Sequence, residues 1–411
     1  MRLSIVGGGA AGLMAAAAAM ETDPEAEIVL IEKNDSLGKK VVISGGGRCN
    51  VTTGLRDVAQ VLTKYPRGGK FLNSAMRAYP PEFTYEWFEA HGVPLKIEED
   101  LRVFPQSDNG HDIVGVFERL FAESKHVKVL LKHDVKLIEK TLTGFVLTFK
   151  DGTAHETDRV ILTTGGQAYR HTGSTGDGYA FAEALGHHLT PLAPSLNSFW
   201  TIEEWPKGLS GVSFEKAKIS ALREKTYQFT GPFLFTHRGV SGPAVFALSS
   251  LVAFEPYDAK RPLNIVIDLF PDENHDKLMG RLQKLVAANP KKELKTVVAM
   301  MVPRSLAETL LGQLAIDMEK PVIETGKKDF IRIVEWLKRA PLTVNARGAG
   351  DEFVTAGGVE LKEVDPRTME SKITPGLFFA GEILDIDGFT GGYNLQASWA
   401  TGRVAGIHAV T

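Results

Sequence analysis

The segment LSIVGGGAAGL, residues 3–13, decides the fold of this 411-residue chain. It contains a short apolar strand that runs into a G-x-G-x-x-G motif, which an alanine-rich helix follows. A second apolar strand, EIVLIE, ends on Glu32, twenty residues after Gly12. Gly7 permits the tight turn, Gly9 lets a pyrophosphate approach the backbone, and Gly12 lets helix and strand pack closely. The pattern predicts a Rossmann-like unit that binds a dinucleotide at the helix N-terminus.

Composition limits the classes of protein to which this chain can belong. A net charge of −3 and 43% hydrophobic residues fit a soluble globular protein without an overall basic signature for nucleic acid, although local patches remain possible. A single cysteine excludes an intramolecular disulfide and any multi-cysteine metal centre, and we predict no metal. The first residues enter a strand at once, and the apolar runs are too short to span a bilayer. We therefore expect two or three domains, no membrane segment and a cytoplasmic location.

The C-terminal segment indicates which dinucleotide is bound. Residues 377–380 form an apolar strand that leads to Glu382, a glycine pair at 391–392 and a closing helix. This order resembles the FAD-binding C-terminus of glutathione-reductase-like flavoproteins. The glycines would let the backbone approach a ring, and the first amides of the helix would carry partial positive charge toward the N1/O2 edge of a flavin. Taken alone, the segment could also be an ordinary glycine loop before a helix.

Further motifs narrow the resemblance to one family. They are TTGG at 163–166 with TGDG at 175–178, GKKVVISGGGRCNVTT at 38–53, FLFTHRGVSGPAVFALSS at 233–250, TAGGVELKEVDPRTMESK at 355–372 and GFTGGYNLQASWATG at 388–402. Together they resemble the BaiN/RdsA (YhiN-like) family of NAD(P)/FAD-dependent oxidoreductases, within the glutathione-reductase/fumarate-reductase-like flavoprotein fold. The resemblance covers the chain from Leu3 to about Gly406.

The resemblance implies FAD as the bound cofactor. NAD(P)H would be a transient electron donor, because the chain has no second G-x-G-x-x-G domain to hold it. Members of the family are linked to reduction of unsaturated bile-acid intermediates, to dihydrouridine formation in ribosomal RNA and to amine oxidation. We predict hydride transfer to a conjugated C=C bond, with a uridine in ribosomal RNA as the first substrate candidate and an unsaturated small molecule as the next. The alternatives are an amine oxidase that uses oxygen and a flavin-dependent RNA-binding or assembly factor without turnover.

The pattern of elements predicts an α/β chain with one long insertion. A Rossmann-like FAD-binding domain, with a parallel sheet and a β-meander, is expected at 1–190 and 353–411. Strand-like segments at 191–270 suit the β-barrel that the family carries. Apolar residues at helical spacing predict a small helical insert at 271–338, and residues 339–352 would return as a barrel strand. The oligomeric state is not predicted.

Two groups of site residues follow from these motifs. The candidate catalytic residues are Cys49, His237 and Arg238. Cys49 either packs in the core, which we expect, or donates a proton, a role that a pKa lowered by Arg48 would oppose. Arg238 would bind an anionic substrate group or pin the barrel through a carboxylate. The residues expected to hold the cofactor are Gly7, Gly9, Ala10, Ala11, Gly12, Glu32, Lys33, Lys40, Gly46, Gly47, Arg48, Asn50, Gly165, Gly166, Gly381, Glu382, Gly392, Tyr393, Asn394 and Leu395.

Overall fold

The computed structural model describes residues 1–348 and 352–411, which form two compact units. The first unit comprises Met1–Ser195 and Phe353–Thr411, and the second comprises Leu196–Glu352. The second unit is therefore inserted into the chain of the first. The domain borders expected from the sequence stay predictions.

The first segment of the first unit contains eleven strands and seven α-helices. The strands are β1 (Arg2–Val6), β2 (Glu27–Ile31), β3 (Thr52–Thr53), β4 (Leu95–Ile97), β5 (Arg102–Pro105), β6 (Val127–Leu130), β7 (Val135–Lys140), β8 (Phe145–Phe149), β9 (Ala154–Thr157), β10 (Arg159–Leu162) and β11 (Ala193–Ser195). The helices are α1 (Ala10–Thr22), α2 (Lys39–Ile43), α3 (Val58–Leu62), α4 (Asn73–Ala78), α5 (Pro81–Ala90), α6 (Gly110–Glu123) and α7 (Asp177–Ala184).

The second unit and the returning segment complete the order of elements. The second unit contains β12 (Phe199–Thr201), β13 (Ser213–Leu222), β14 (Thr226–Thr236), β15 (Gly239–Ser241), β16 (Leu263–Asp268) and β17 (Ala340–Arg347). Its helices are α8 (Pro243–Leu251), α9 (His275–Ala288), α10 (Leu294–Val298), α11 (Arg304–Gln313) and α12 (Lys327–Lys338). The chain then returns to the first unit as β18 (Val354–Ala356), β19 (Leu377–Phe379) and α13 (Tyr393–Val410).

A parallel five-stranded sheet organises the first unit. Its order is β19-β10-β1-β2-β6, and the antiparallel meander β7-β8-β9 forms a separate sheet. Helix α1 packs closely on α13, because a Cβ added at Gly402 or Gly406 would lie 2.3 or 2.2 Å from the carbonyl oxygen of Ala11 or Ala15. Apolar β-strands buried on both faces are typical of a sheet covered by helices. The predicted Rossmann-like fold with a meander is confirmed.

The second unit is built around a closed barrel. The strand order is β12-β15-β14-β13-β16-β17, and each neighbouring pair is antiparallel. Barrel residues such as Phe235 and Val344 belong to the same hydrophobic cluster as Leu282 of α9 and Leu337 of α12. The predicted barrel and helices are therefore present, and within this unit they share one core.

Candidate cofactor site

The turn between β1 and α1 has the geometry that its glycines predict. Gly7 has a φ of +113°, and a Cβ added at Gly12 would lie 1.9 Å from the carbonyl oxygen of Gly7. A Cβ at Gly9 would meet no described atom within 4 Å. The first bond into the helix runs from the N–H of Leu13 to Gly9, so the three preceding N–H groups have no hydrogen bond among the described residues. An open helix N-terminus beside open space suits a phosphate group.

Glu32 lies at the end of β2 and holds the neighbouring loop. Its Oε2 accepts from the N–H of Gly8 at 2.8 Å, and its Oε1 accepts from the N–H of Asn34 at 2.8 Å and from the side-chain amide of Asn34 at 2.7 Å. A carboxylate has about four acceptor positions, so Glu32 retains one for a ribose hydroxyl. The next residue, Lys33, donates to Asp177 Oδ2 at 2.6 Å. Burial raises the pKa of Asp177, but hydrogen bonds, chiefly from Lys33, outweigh it and leave that pKa below its ordinary value.

The SGGGRCN segment forms a glycine loop followed by a buried cysteine. Gly46 and Gly47 have φ values of +73° and +89°, and a Cβ at either would meet nothing within 4 Å. The guanidinium of Arg48 is 2.7 Å from Glu98 Oε1 and lies over the ring of Phe104, with 3.8 Å between the guanidinium carbon and the ring centroid. The loop therefore faces open space, while Arg48 is paired with a carboxylate of the protein.

Cys49 is fully buried among hydrophobic side chains. Burial raises the pKa of its thiol to about 12, which a hydrogen bond with Ser44 only partly opposes. The expectation that Arg48 lowers this pKa is therefore wrong, because loss of hydration dominates and the charge of Arg48 is compensated by Glu98. The thiol stays protonated at neutral pH.

We expect the Cys49 thiol to be unreactive in the folded protein. Thiolate is the reactive form, and a pKa near 12 together with complete burial leaves almost none accessible. A colorimetric disulfide reagent should therefore titrate no thiol in native protein and the single cysteine after denaturation. Rapid labelling of the native chain would contradict this burial.

A second group of candidates meets beyond the carboxyl ends of β10 and β19, beside β18. Glu382 Oε2 is 2.7 Å from Lys40 Nζ, and its Oε1 accepts from the N–H of Thr355 at 2.8 Å. A Cβ at Gly166 would lie 2.9 Å from Glu382 Oε1. Gly165 has a φ of +73°, so it too takes a left-handed backbone. Ligands of open parallel sheets bind outside this edge of the strands, so the position suits a cofactor.

The N-terminus of α13 offers a second set of backbone donors. Gly392 precedes the helix with a φ of +86°, and the N–H of Gln396 makes the first bond back to it. The N–H groups of residues 393–395 therefore have no hydrogen bond among the described residues. Asn394 ties the preceding loop by accepting from the N–H of Gly388 and donating to its carbonyl, both at 2.8 Å. When the amide of Asn50 is turned so that its oxygen faces Gly392, that oxygen accepts from the N–H of Gly392 at 2.9 Å.

The remaining predicted cofactor residues support these two helix ends. Tyr393 is buried and Leu395 is partly buried. Gly381 has a φ of +79°, and a Cβ added there would collide with the side chain of Ala11. All of the cofactor candidates belong to the first unit. Their roles toward a bound cofactor stay predictions.

Sequence reasoning missed a buried ion pair that anchors the loop before α13. Asp387 is completely buried and pairs through both carboxylate oxygens with Arg67. Ser195 donates to Asp387 Oδ2 at 2.9 Å, and Tyr65 donates to the carbonyl of Tyr393 at 2.7 Å. The signal in the sequence was a pair of aspartates among the apolar residues of ILDID, the second of which is Asp387, but its partner is 320 residues away.

The other two catalytic candidates belong to the second unit. His237 and Arg238 form the exposed turn between β14 and β15, and the guanidinium carbon of Arg238 is 4.7 Å from the ring centroid of Trp200. Helix α8 begins at Pro243, close to where the glycines predicted a helix start. Catalytic roles for both residues stay predictions.

Neither a membrane-spanning helix nor a metal-binding cluster occurs in the described ranges 1–348 and 352–411. None of their helices combines the length and apolar character needed to cross a bilayer. They also contain no group of three or more histidine, cysteine, aspartate or glutamate residues that could bind a metal ion.

Comparison with known proteins relates the whole chain to one family. The model of the HI0933-like protein Rossmann domain matches residues 1–408. A 3-dehydro-bile acid delta(4,6)-reductase of Clostridium scindens is 31% identical over 98% of this chain and 98% of its own length. A ribosomal RNA dihydrouridine synthase of Haemophilus influenzae is 30% identical over 97% of this chain and 95% of its own.

A solved structure agrees with the fold. The structural match to the quinol fumarate reductase of E. coli covers 100% of this chain and 70% of the reductase chain, with a TM-score of 0.51 and 18% sequence identity. At that identity the likeness speaks for the fold alone. The two relatives support the family predicted from the motifs, and the chain therefore belongs to the HI0933-like Rossmann domain family of flavoprotein oxidoreductases.

Proposed function

We propose that this protein binds FAD, takes hydride from NAD(P)H and delivers it to a conjugated C=C bond. The observation that carries the proposal is the pair of open helix N-termini, at α1 and α13, in the unit whose Gly9, Gly46 and Gly47 border open space. Positive helix ends at two separate points suit a cofactor that has a diphosphate and an electron-accepting ring.

Each group of residues has a defined task in this proposal. The N–H groups of residues 10–12 bind the diphosphate, and Glu32 accepts from a ribose hydroxyl. The N–H groups of residues 393–395 stabilise negative charge on the N1/O2 edge of the flavin. Bound FAD supplies hydride transfer between donor and acceptor. The buried, protonated Cys49 packs beneath the glycine loop, so we do not assign it the proton that completes the addition.

The substrate is proposed from the chemistry of the relatives. A delta(4,6)-reductase and a dihydrouridine synthase both take their names from saturation of a C=C bond conjugated to a carbonyl group. A uridine in ribosomal RNA is the first candidate for this chain, and an unsaturated small molecule is the next. Because the first unit contains one Rossmann-like motif, NAD(P)H would bind transiently and not in a domain of its own.

The test separates donor from acceptor. Purified protein should contain non-covalent FAD, and anaerobic NADH or NADPH should bleach its absorbance rapidly, with slow reoxidation in air. Ribosomal RNA from a strain that lacks the gene should then have lost one dihydrouridine by mass analysis. If an amine reduces the flavin and oxygen reoxidises it rapidly, the protein is an oxidase and not a reductase. If neither NADH nor NADPH reduces the flavin, the proposed electron donor is refuted.

A further inference from the structure

The side chain of Gln396, near the start of α13, is completely buried and fully hydrogen-bonded. Its amide oxygen accepts from the hydroxyl groups of Thr52 and Thr84, at 2.6 and 2.8 Å. Its amide nitrogen donates to the carbonyl oxygen of Tyr79 at 3.0 Å and lies 3.7 Å from the sulfur of Met76. A glutamine amide has two donor and two acceptor positions, so protein atoms occupy all of them.

The chain that leaves the glycine loop is tied to the beginning of α13 at three consecutive residues, of which Thr52 is the last. In the orientation that satisfies both ends of its amide, Asn50 joins the N–H of Gly392 to the carbonyl of Thr52, at 2.9 and 3.1 Å. The indole N–H of Trp399 donates to the carbonyl of Val51 at 2.9 Å. A Cβ added at Gly392 would lie 2.2 Å from the carbonyl oxygen of Thr52. These contacts hold the strand and the helix end in one arrangement.

A buried amide is an unusual way to fill this part of the core. When polar partners are replaced together by apolar groups of the same shape, stability can remain nearly unchanged, so packing alone does not require Gln396. A fully satisfied buried network instead favours a single arrangement of the segments that it joins. Here it joins α13 to β3, to α5 and to the end of α4. The network therefore fixes the first turn of α13, whose N–H groups at 393–395 have no hydrogen bond among the described residues.

The position of these N–H groups determines how strongly they act on a charge. The effect of a helix end is confined to about one turn, and its energy falls with distance. The flavin edge that the proposed function places there gains negative charge when the flavin is reduced. Displacement of the first turn would therefore weaken the binding of reduced FAD more than that of oxidised FAD, and the midpoint potential would fall.

We propose that Gln396 is a positioning residue that sets the reduction potential of the bound flavin. It acts through the first turn of α13 and not by contact with the cofactor, because its own hydrogen-bonding positions are occupied by protein atoms. The inference rests on the proposed function, since it requires FAD at the N-terminus of α13. It extends that function from the residues that face the cofactor to one that holds them in place.

The test measures the midpoint potential of FAD-loaded protein by equilibration with a reference dye. We expect Gln396→Leu to lower the potential by about 30 mV, which corresponds to a tenfold change in the ratio of the dissociation constants of oxidised and reduced FAD. Thr157→Val is the matched control. Thr157 is 1% exposed, and its hydroxyl donates to the carbonyl groups of Arg2 and Arg159 in the same unit. This variant loses a buried hydroxyl outside the network and should keep the wild-type potential even where its stability falls.

Gln396→Glu gives a second readout that a purely structural role would not change. When the new carboxyl group is protonated, it can donate to Tyr79 and accept from the two threonines, so the potential should match that of wild type at about pH 6. Ionisation removes this donor and places a negative charge behind the helix end. Because burial raises the pKa of such a carboxyl group, we expect the potential to fall below that of wild type only toward about pH 9.

Each outcome decides the inference. Wild-type potentials in Gln396→Leu, and in Gln396→Glu at every pH, would overturn it and leave the proposed reductase standing. An equal fall in Thr157→Val would also overturn it, because any loss of a buried hydrogen bond would then suffice. If Gln396→Leu does not fold, the pH dependence of Gln396→Glu decides alone. Wild-type protein without FAD would refute the inference together with the proposed function, whereas a flavin that NAD(P)H does not reduce can still be titrated with a chemical reductant.

Discussion

Gly12→Ala should give a chain that is strongly destabilised and contains no FAD. The added methyl group would lie 1.9 Å from the carbonyl oxygen of Gly7 and 2.7 Å from Thr163 Oγ1, and the first of these is backbone that cannot yield without opening the turn. Overpacking of this severity costs about 3 kcal/mol or more. Denaturant unfolding and the flavin content of purified protein measure both effects.

Gly9→Ala separates folding from cofactor binding at the same turn. Its methyl group would meet no described protein atom within 4 Å, and φ is −82°, which any residue adopts. The fold should therefore be retained, while FAD binds about 100-fold more weakly if the diphosphate occupies this space, the equivalent of ~3 kcal/mol. Wild-type affinity in Gly9→Ala would show that the cofactor does not approach the N-terminus of α1.

Arg67→Ala should destabilise the protein by about 3–5 kcal/mol, because it removes the opposite charge from a carboxylate that is wholly buried. Asp387 is 0% exposed, and its hydrogen bond from Ser195 does not neutralise it. The loop that Asp387 anchors leads directly to Gly391 and Gly392, so FAD should also dissociate faster. Urea unfolding and the release of flavin fluorescence measure the two effects.

Arg56→Ala is the control for Arg67→Ala. Arg56 pairs with Glu82 at 3.3 Å, but its side chain is 77% exposed, and exposed pairs contribute little. This variant should unfold like wild type and retain FAD. Arg67→Lys should recover part of the stability, since lysine restores the charge but not the two-pronged geometry. Equal losses of stability in Arg56→Ala and Arg67→Ala would mean that the burial of Asp387 does not cause the destabilisation.

Local geometry was predictable from the sequence because neighbouring residues determine it. The apolar strand, the spacing of Gly7, Gly9 and Gly12 and the alanine-rich helix specify one β-turn-α unit, and the structure has it. The glycine pair before α13 likewise predicted a helix start at Tyr393. In both cases the cause lies within about ten residues of its effect.

Contacts between distant segments could not be predicted in the same way. Lys40 and Glu382 are 342 residues apart, and both were expected to face the cofactor and not each other. The pKa of Cys49 is raised and not lowered as expected, again because contacts between distant segments determine its surroundings. The sequence places Arg48 beside Cys49, but the fold turns its guanidinium to Glu98 and removes water from the thiol.

The pairing of β11 with β18 has a consequence for deletion of the inserted unit. These strands are antiparallel, with Ser195 opposite Val354, so the points where the chain leaves and re-enters the first unit are neighbours across one ladder. A connection of a few residues suffices to join such strands. Replacing residues 196–352 by a short loop would therefore remove no residue of the strand pairs in the first unit. In topological terms, the barrel and its helices occupy the place of a β-hairpin turn.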